Sequence, residues 1–192
     1  MDLEYNSAVS EPCACDGKGP HLVRCVQCPD MAMTCTECFV ARHKPMWTHR
    51  AEVWNNAKQY FEKKSISDLS GSFTPQLGHN GDPCPMPGAP VKIIVVDVHG
   101  IHNVRLRFCD CDPTQEHPRF EQLLRCRLFP STTTRPGVAF SFEWLRHFQL
   151  IHTEGALSTS AMMAAWQRIT DNTYPWSVAV SLHSRCAILY CE

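Results

Sequence analysis

The chain has 192 residues, a formal net charge of -1 and a hydrophobic content of 44%. That is enough for one or two packed domains, and too little positive charge for affinity resting on many phosphate contacts alone. Twelve cysteines are many for a chain with no apolar leader and no run near the roughly 18 apolar residues of a membrane span. They therefore read as metal ligands rather than as a disulfide framework, and neither a membrane nor a small-molecule substrate is expected as a partner.

Residues 1–12 are polar and acidic and read as a disordered tail. From Cys13 the potential ligands come in pairs: Cys13-x-Cys15, Cys25-x-x-Cys28, Cys35-x-x-Cys38, then His43 and His49. Thiolate and imidazole are the donors zinc prefers, and closed four-ligand sets are structural, so the spacing predicts two zinc ions. In a cross-brace, Cys13, Cys15, Cys35 and Cys38 hold one ion and Cys25, Cys28, His43 and His49 the other. Sequential sharing is the competing arrangement. The tight Cys13-x-Cys15 spacer also leaves His21 as a substitute ligand. Ligand order resembles B-box-like cross-braced fingers, and RING domains less closely. Phe39 to His43 is expected to begin a helix presenting His43, and Trp47 and Trp54 to cover the metal sites, since small zinc folds have little core. Residues 51–64 read as a short helix with Val53, Trp54 and Phe61 near one face, closing a first domain over 13–64. The Ser- and Gly-rich stretch 65–75 reads as a linker.

A second domain is expected over 76–175. His79 and Cys84 lie in a proline-rich loop that cannot run as helix or central strand. Lys92 to Val98 is β-branched and apolar, a buried strand; Gly100 marks a turn; Val104 to Cys109 alternates, with Arg105 and Arg107 on one face. This hairpin would carry Cys109-x-Cys111 back beside the loop, so His79, Cys84, Cys109 and Cys111 form a third ligand set, with His102 and His117 as substitutes. Cys126 is expected to pack as a small hydrophobe. Phe120 to Leu128 reads as a helix stopping before Pro130, and 131–137 as a loop. Phe140, Trp144, Leu145, Phe148 and Ile151 recur at helical spacing, and Ser158 or Thr159 caps a last helix through Ile169. The fold class is small α+β: a cross-braced two-zinc finger, then a zinc-chelating domain with a β-hairpin and C-terminal helices. Residues 176–192 are unassigned.

Leu77-Gly78-His79, Cys84-Pro85, Val96 through His102 (Val-Asp-Val-His-Gly-Ile-His) and Phe108-Cys109-Asp110-Cys111 occur in order. They are followed by Gln122-Leu123-Leu124-Arg125, Phe129-Pro130-Ser131-Thr132 and Thr170-Asp171-Asn172-Thr173. This ordered set resembles the CxC-type cysteine cluster domain found ahead of the catalytic region in fungal KDZ transposases, and the upstream Cys/His array with Trp54 looks like the segment preceding it there. The resemblance implies a zinc-chelating, non-catalytic accessory region, a nuclear location, and DNA contacts through a parent transposase whose RNase H-like core lies downstream. Two departures stand out: the family tends to have two residues in the first Cys pair, and the likeness ends after Asn172-Thr173. The expectation is a truncated copy.

Asp97 on a buried strand is the one carboxylate that suggests an RNase H-like site, yet such chemistry needs further carboxylates converging on it. Asp171, the only tempting partner, is explained by helix termination. No Gly-rich phosphate loop occurs, so the chain is read as no enzyme. Two binding readings remain. One is DNA recognition, with Arg105, Arg107, Arg125 and Arg127 as candidate phosphate contacts; no Lys follows Lys92, and Arg suits bidentate contacts to phosphate. The other is a module for protein contact or self-association.

Overall fold

Strand and helix signals alternate along the chain, and the computed structural model resolves them into an α+β fold in two compact units that divide between Phe73 and Thr74. It describes residues 13, 15, 22–29, 32–71, 73–79, 82–111 and 118–178. His21 and His117 lie outside these, as do the expected tail 1–12 and most of 176–192.

In the first unit, β1 (Val23–Cys25), β2 (Ala51–Asn55) and β3 (Tyr60–Lys64) form an antiparallel sheet in that order. Residues 51–64 are thus a hairpin, not the expected helix. The cause is local: the Asn55 side chain accepts the N–H groups of Ala57 and Lys58 at 3.0 and 3.1 Å, closing the turn. Cross-strand chemistry then fixes the register. Arg24 lies opposite Glu52, pairs with it at 2.8 Å, and stacks its guanidinium 3.6 Å above the Phe61 ring. Between β1 and β2 runs α1 (Thr36–His43), followed by a 3-10 turn at Lys44–Met46. Part of the expected linker is a helix, α2 (Ile66–Ser70). Ser65 and Asp68 form a reciprocal capping box, and Gly71 ends the helix at φ +59°. Ile66 buries itself with Val23, Phe39, Val40 and Ala51, a core of few apolar side chains.

The second unit is a four-stranded sheet of order β5-β4-β7-β6. Strands β4 (Val91–Asp97) and β5 (Gly100–Leu106) form the expected hairpin; its two-residue turn places Gly100 at φ +129°, open to glycine alone. After α3 (Arg119–Arg125) come two short strands that the residue pattern does not announce, β6 (Leu128–Pro130) and β7 (Val138–Ser141). β7 runs parallel to β4, with Ile94 beside Val138 and Val96 beside Phe140. Phe140 therefore lies on a strand instead of opening the helix; Ser141 caps α4 (Phe142–Gly155) through the Trp144 N–H. Ser158 caps α5 (Thr159–Thr170) in the same way.

Strand alternation sorts the sheet's two faces. Val96, Ile101, Val138 and Phe140 meet Trp144, Met162, Met163 and Trp166 from α4 and α5 in one apolar core, with Ile94 at its edge. On the other face Ile93, Val95, His102, Val104 and Leu106 are all buried. Asp97 is buried and structurally engaged: it accepts the Ser141 hydroxyl at 2.6 Å, and its main-chain carbonyl accepts the Trp166 indole N–H at 2.8 Å. Asp171 accepts the N–H groups of Thr173 and Tyr174 in the turn after α5.

Candidate metal centres

The twelve Cys and His residues singled out by spacing gather into three groups of four: Cys13, Cys15, Cys35 and Cys38; Cys25, Cys28, His43 and His49; and His79, Cys84, Cys109 and Cys111. Within each group one donor atom per residue lies within 4.8 Å of every other. Each group has the residues to hold a metal ion. A tetrahedral zinc site, with Zn–S about 2.3 Å and Zn–N about 2.0–2.1 Å, has donor–donor edges of roughly 3.5–3.8 Å. On that scale, the first group shows S···S separations of 3.9 and 3.6 Å, the second S···N separations of 3.3 to 3.5 Å, and the third separations of 3.3 to 3.4 Å. The donor sets fit the ion. No disulfide joins cysteines among the described residues.

One helix serves both finger groups. Cys35 is the N-cap of α1 and Cys38 lies in its first turn, both in the first group; His43 is its last residue and turns to the second group. The His43 Nδ1–H donates to the Phe39 carbonyl one turn back at 3.0 Å, which leaves Nε2 as the donor atom facing Cys28. The Phe39 and His43 rings stack at 4.0 Å, so the apolar core and the ligand set share a wall. His49 uses Nδ1 toward Cys25 and Cys28. Trp47 packs at the edge of the cluster that contains Cys25 and Cys28, whereas Trp54 pairs with Met33 and Phe61.

The thiols of the first group cannot all shed their protons unaided. Main-chain N–H groups of Cys35 and Cys15 bring Cys13 down to about 5, while hydrogen bonding to the Cys38, Cys13 and Cys35 sulfurs pushes Cys15 up to about 12. The third group repeats this: the Cys111 N–H, 3.4 Å from the Cys109 sulfur, lowers Cys109 to about 7, and the Cys84 contact raises Cys111 to about 11. Packed sulfurs of this kind need a bound cation to be thiolates together.

The third group is assembled by two loop segments flanking the chain beyond β5. On one side, the Leu77 N–H donates to the Arg107 carbonyl and the Arg107 N–H to that of Pro75, at 2.8 and 2.9 Å. On the other, Gly88 donates to Phe108 and Asp110 to Met86, so Pro87 sits opposite Cys109. These bridges bring His79 and Cys84 onto Cys109 and Cys111. Gly78 has φ +102°, and a Cβ there would come within 3.0 Å of the Cys109 Cβ; His79 follows at φ +48°. A side chain at 78 is thus excluded by conformation and by space. Gly78→Ala is expected to cost about 1–3 kcal/mol and to weaken the third metal equivalent alone, as read by titration with a competing chelator; three equivalents held as tightly as before would contradict this.

Sequence reasoning missed the residues behind these ligands. Gln122, buried on α3, accepts the Cys109 N–H at 2.7 Å and donates back to the Cys109 carbonyl at 3.1 Å. Gln76 accepts the Cys84 N–H at 2.9 Å. Gln122 stands in the Gln-Leu-Leu-Arg stretch, and its place in that motif of the resemblance was the signal available. Of the substitute ligands, His102 is buried on β5 away from the group. Cys126 also departs from expectation: α3 ends at Arg125, so Cys126 falls on the turn before Arg127 at φ +58° and is exposed, while Leu123 and Leu128 fill the core. Arg105, Arg125 and Arg127 are exposed and Arg107 half-buried. No helix among the described residues is long and apolar enough to cross a membrane.

The family described as CxC2 like cysteine cluster associated with KDZ transposases matches residues 70–174, more than half of the chain. That span contains the whole third group and the four-stranded sheet. No curated protein and no solved structure matches the chain significantly.

Proposed function

Because this chain belongs to the CxC2-like cysteine cluster family associated with KDZ transposases, we propose that it is a zinc-binding, non-catalytic accessory region of such a transposase that contributes to DNA binding at element ends. The observation that carries the reading is the composition of the three donor groups. Each offers four thiolate or imidazole donors, a choice that favours zinc over oxygen-seeking cations. Four protein donors leave no position for water or substrate, the mark of a structural rather than a catalytic zinc. When bound, zinc offsets thiolate charge and cross-links the segments that carry the ligands. The residues do the rest: α1 ties two groups together, His43 is held in one tautomer by Phe39, and Gln76 and Gln122 hold the ligand peptides of the third. A nuclear location follows from the DNA reading.

Elemental analysis of the purified chain is expected to give three zinc ions. With cobalt in their place, Cys35→Ser should alter the all-sulfur band and His43→Ala the mixed sulfur–nitrogen band. Both substitutions acting on one band would overturn the pairing of ligands. DNA contact is tested by titrating a mixed-sequence duplex at rising salt, where a steep fall in affinity marks phosphate contacts. A second reading has its own observation. Leu150, Leu157, Ile169 and Trp176 are exposed at 53, 42, 45 and 76%, apolar side chains open to a protein partner. A salt-insensitive, concentration-dependent rise in mass would favour that reading.

A further inference from the structure

The helix-bearing face of the second unit's sheet is only partly covered. Its core reaches Ile94 and Val138 and stops. One alternation further along β4, Lys92 stands on the same face, directly opposite Arg105 of β5, and Asn103 stands opposite Ile94. Lys92, Asn103 and Arg105 are all exposed. At this open end of the hairpin lies a cavity of about 450 Å³ lined by Lys92–Ile94, Asn103–Arg105 and Gly137.

The charge arrangement is what needs a partner. Like charges placed directly opposite across an antiparallel pair repel and destabilise it. Neither Lys92 nor Arg105 has an ion pair or a side-chain hydrogen bond among the described residues. Elsewhere the chain does compensate such positions: Arg24 meets Glu52 across β1 and β2. An uncompensated cation pair beside a concavity, with an amide donor next to it, is complementary to an anion with several acceptor oxygens. The overall charge of -1 means that any polyanion must be held by such a local feature.

We infer that this cavity seats the sugar-phosphate backbone of DNA, with Lys92 and Arg105 as charged contacts to phosphate and Asn103 as a neutral donor beside them. The inference rests on the DNA-binding reading above and narrows it to one face. The test uses the full zinc-loaded chain and a mixed-sequence duplex in a salt titration, comparing the natural protein with a Lys92→Gln, Arg105→Gln double variant of unchanged zinc content. Each phosphate contact contributes about 0.9 to the slope of log affinity against log salt, so the double variant should lose up to roughly 2 from that slope and bind more weakly at low salt. If the natural chain binds but the double variant keeps the full slope, this site is wrong and the broader DNA reading stands. If the natural chain shows no salt-dependent binding, both fall. A second readout needs no ligand. Arg105→Gln should raise the urea midpoint of the free protein by relieving the repulsion; a lowered midpoint overturns the premise that the pair is uncompensated.

Discussion

Excess chelator is expected to unfold the first unit completely and leave the core of the second in place. The finger's buried apolar side chains are Val23, Phe39, Val40, Ala51 and Ile66 with the ligand Cys25, and a separate pair of Met33 and Trp54, too little for a unit of this size to stand on. Structural zinc in finger peptides contributes on the order of 10–16 kcal/mol, far above what that core supplies. The second unit keeps Trp144, Phe140, Met162, Met163 and Trp166 packed on a sheet independently of any ligand. In a proton–nitrogen spectrum of the whole chain, the Trp54 indole signal should collapse to the random-coil position on chelation while that of Trp166, bonded to the Asp97 carbonyl, keeps its shift. A Trp54 signal that stays dispersed in excess chelator would sink the proposal that metal organises the finger.

The second large effect concerns Trp144. It is 0% exposed, stacked at 5.3 Å against both Phe140 and Phe148 and edge-on to Trp166 at 5.7 Å. Its indole nitrogen makes no hydrogen bond among the described residues, so its contribution is packing alone. Trp144→Ala should cost about 3–5 kcal/mol, a large share of the roughly 5–15 kcal/mol typical of a domain. Trp176→Ala, at a side chain 76% exposed, should stay within about 0.5 kcal/mol. Urea unfolding followed by circular dichroism compares the two; equal shifts in midpoint would mean that Trp144 is not the centre of this core.

What the residues made legible follows from range. Ligand pairs are readable because zinc chemistry restricts both donor type and local spacing, and the β4–β5 hairpin because its apolar run and turn glycine are contiguous. The helices α4 and α5 announce themselves through apolar recurrence and through Ser141 and Ser158 at their caps. Misreadings arise where two patterns overlap. Val53, Trp54 and Phe61 suit a helical face, but the Asn55 turn divides them between two strands. Ser65 and Asp68 have capping-box spacing inside a stretch whose composition says linker. Phe140 keeps helical spacing with Trp144 and Phe148 although it sits on β7, because all three stack in one column. The parallel pairing of β7 with β4 joins residues 44 positions apart (Ile94 with Val138), and nothing local encodes it. The role of Gln122, although the residue sits in a motif of the resemblance, was illegible for a related reason: it holds a peptide 13 residues away.

That last contact has a consequence for the order in which the molecule is made. Cys109 and Cys111 emerge before α3, yet both hydrogen-bonding groups of the Cys109 peptide are held by a residue of that helix. A nascent chain that ends at Cys111 has all four donors of the third group and lacks the clamp that orients one of them. Capture of the metal at its final strength therefore waits on synthesis and docking of α3. Gln122 in this way makes the site report on whether the downstream part of the fold has formed, so that a chain interrupted between 111 and 122 would hold its ion loosely and surrender it to competing thiols.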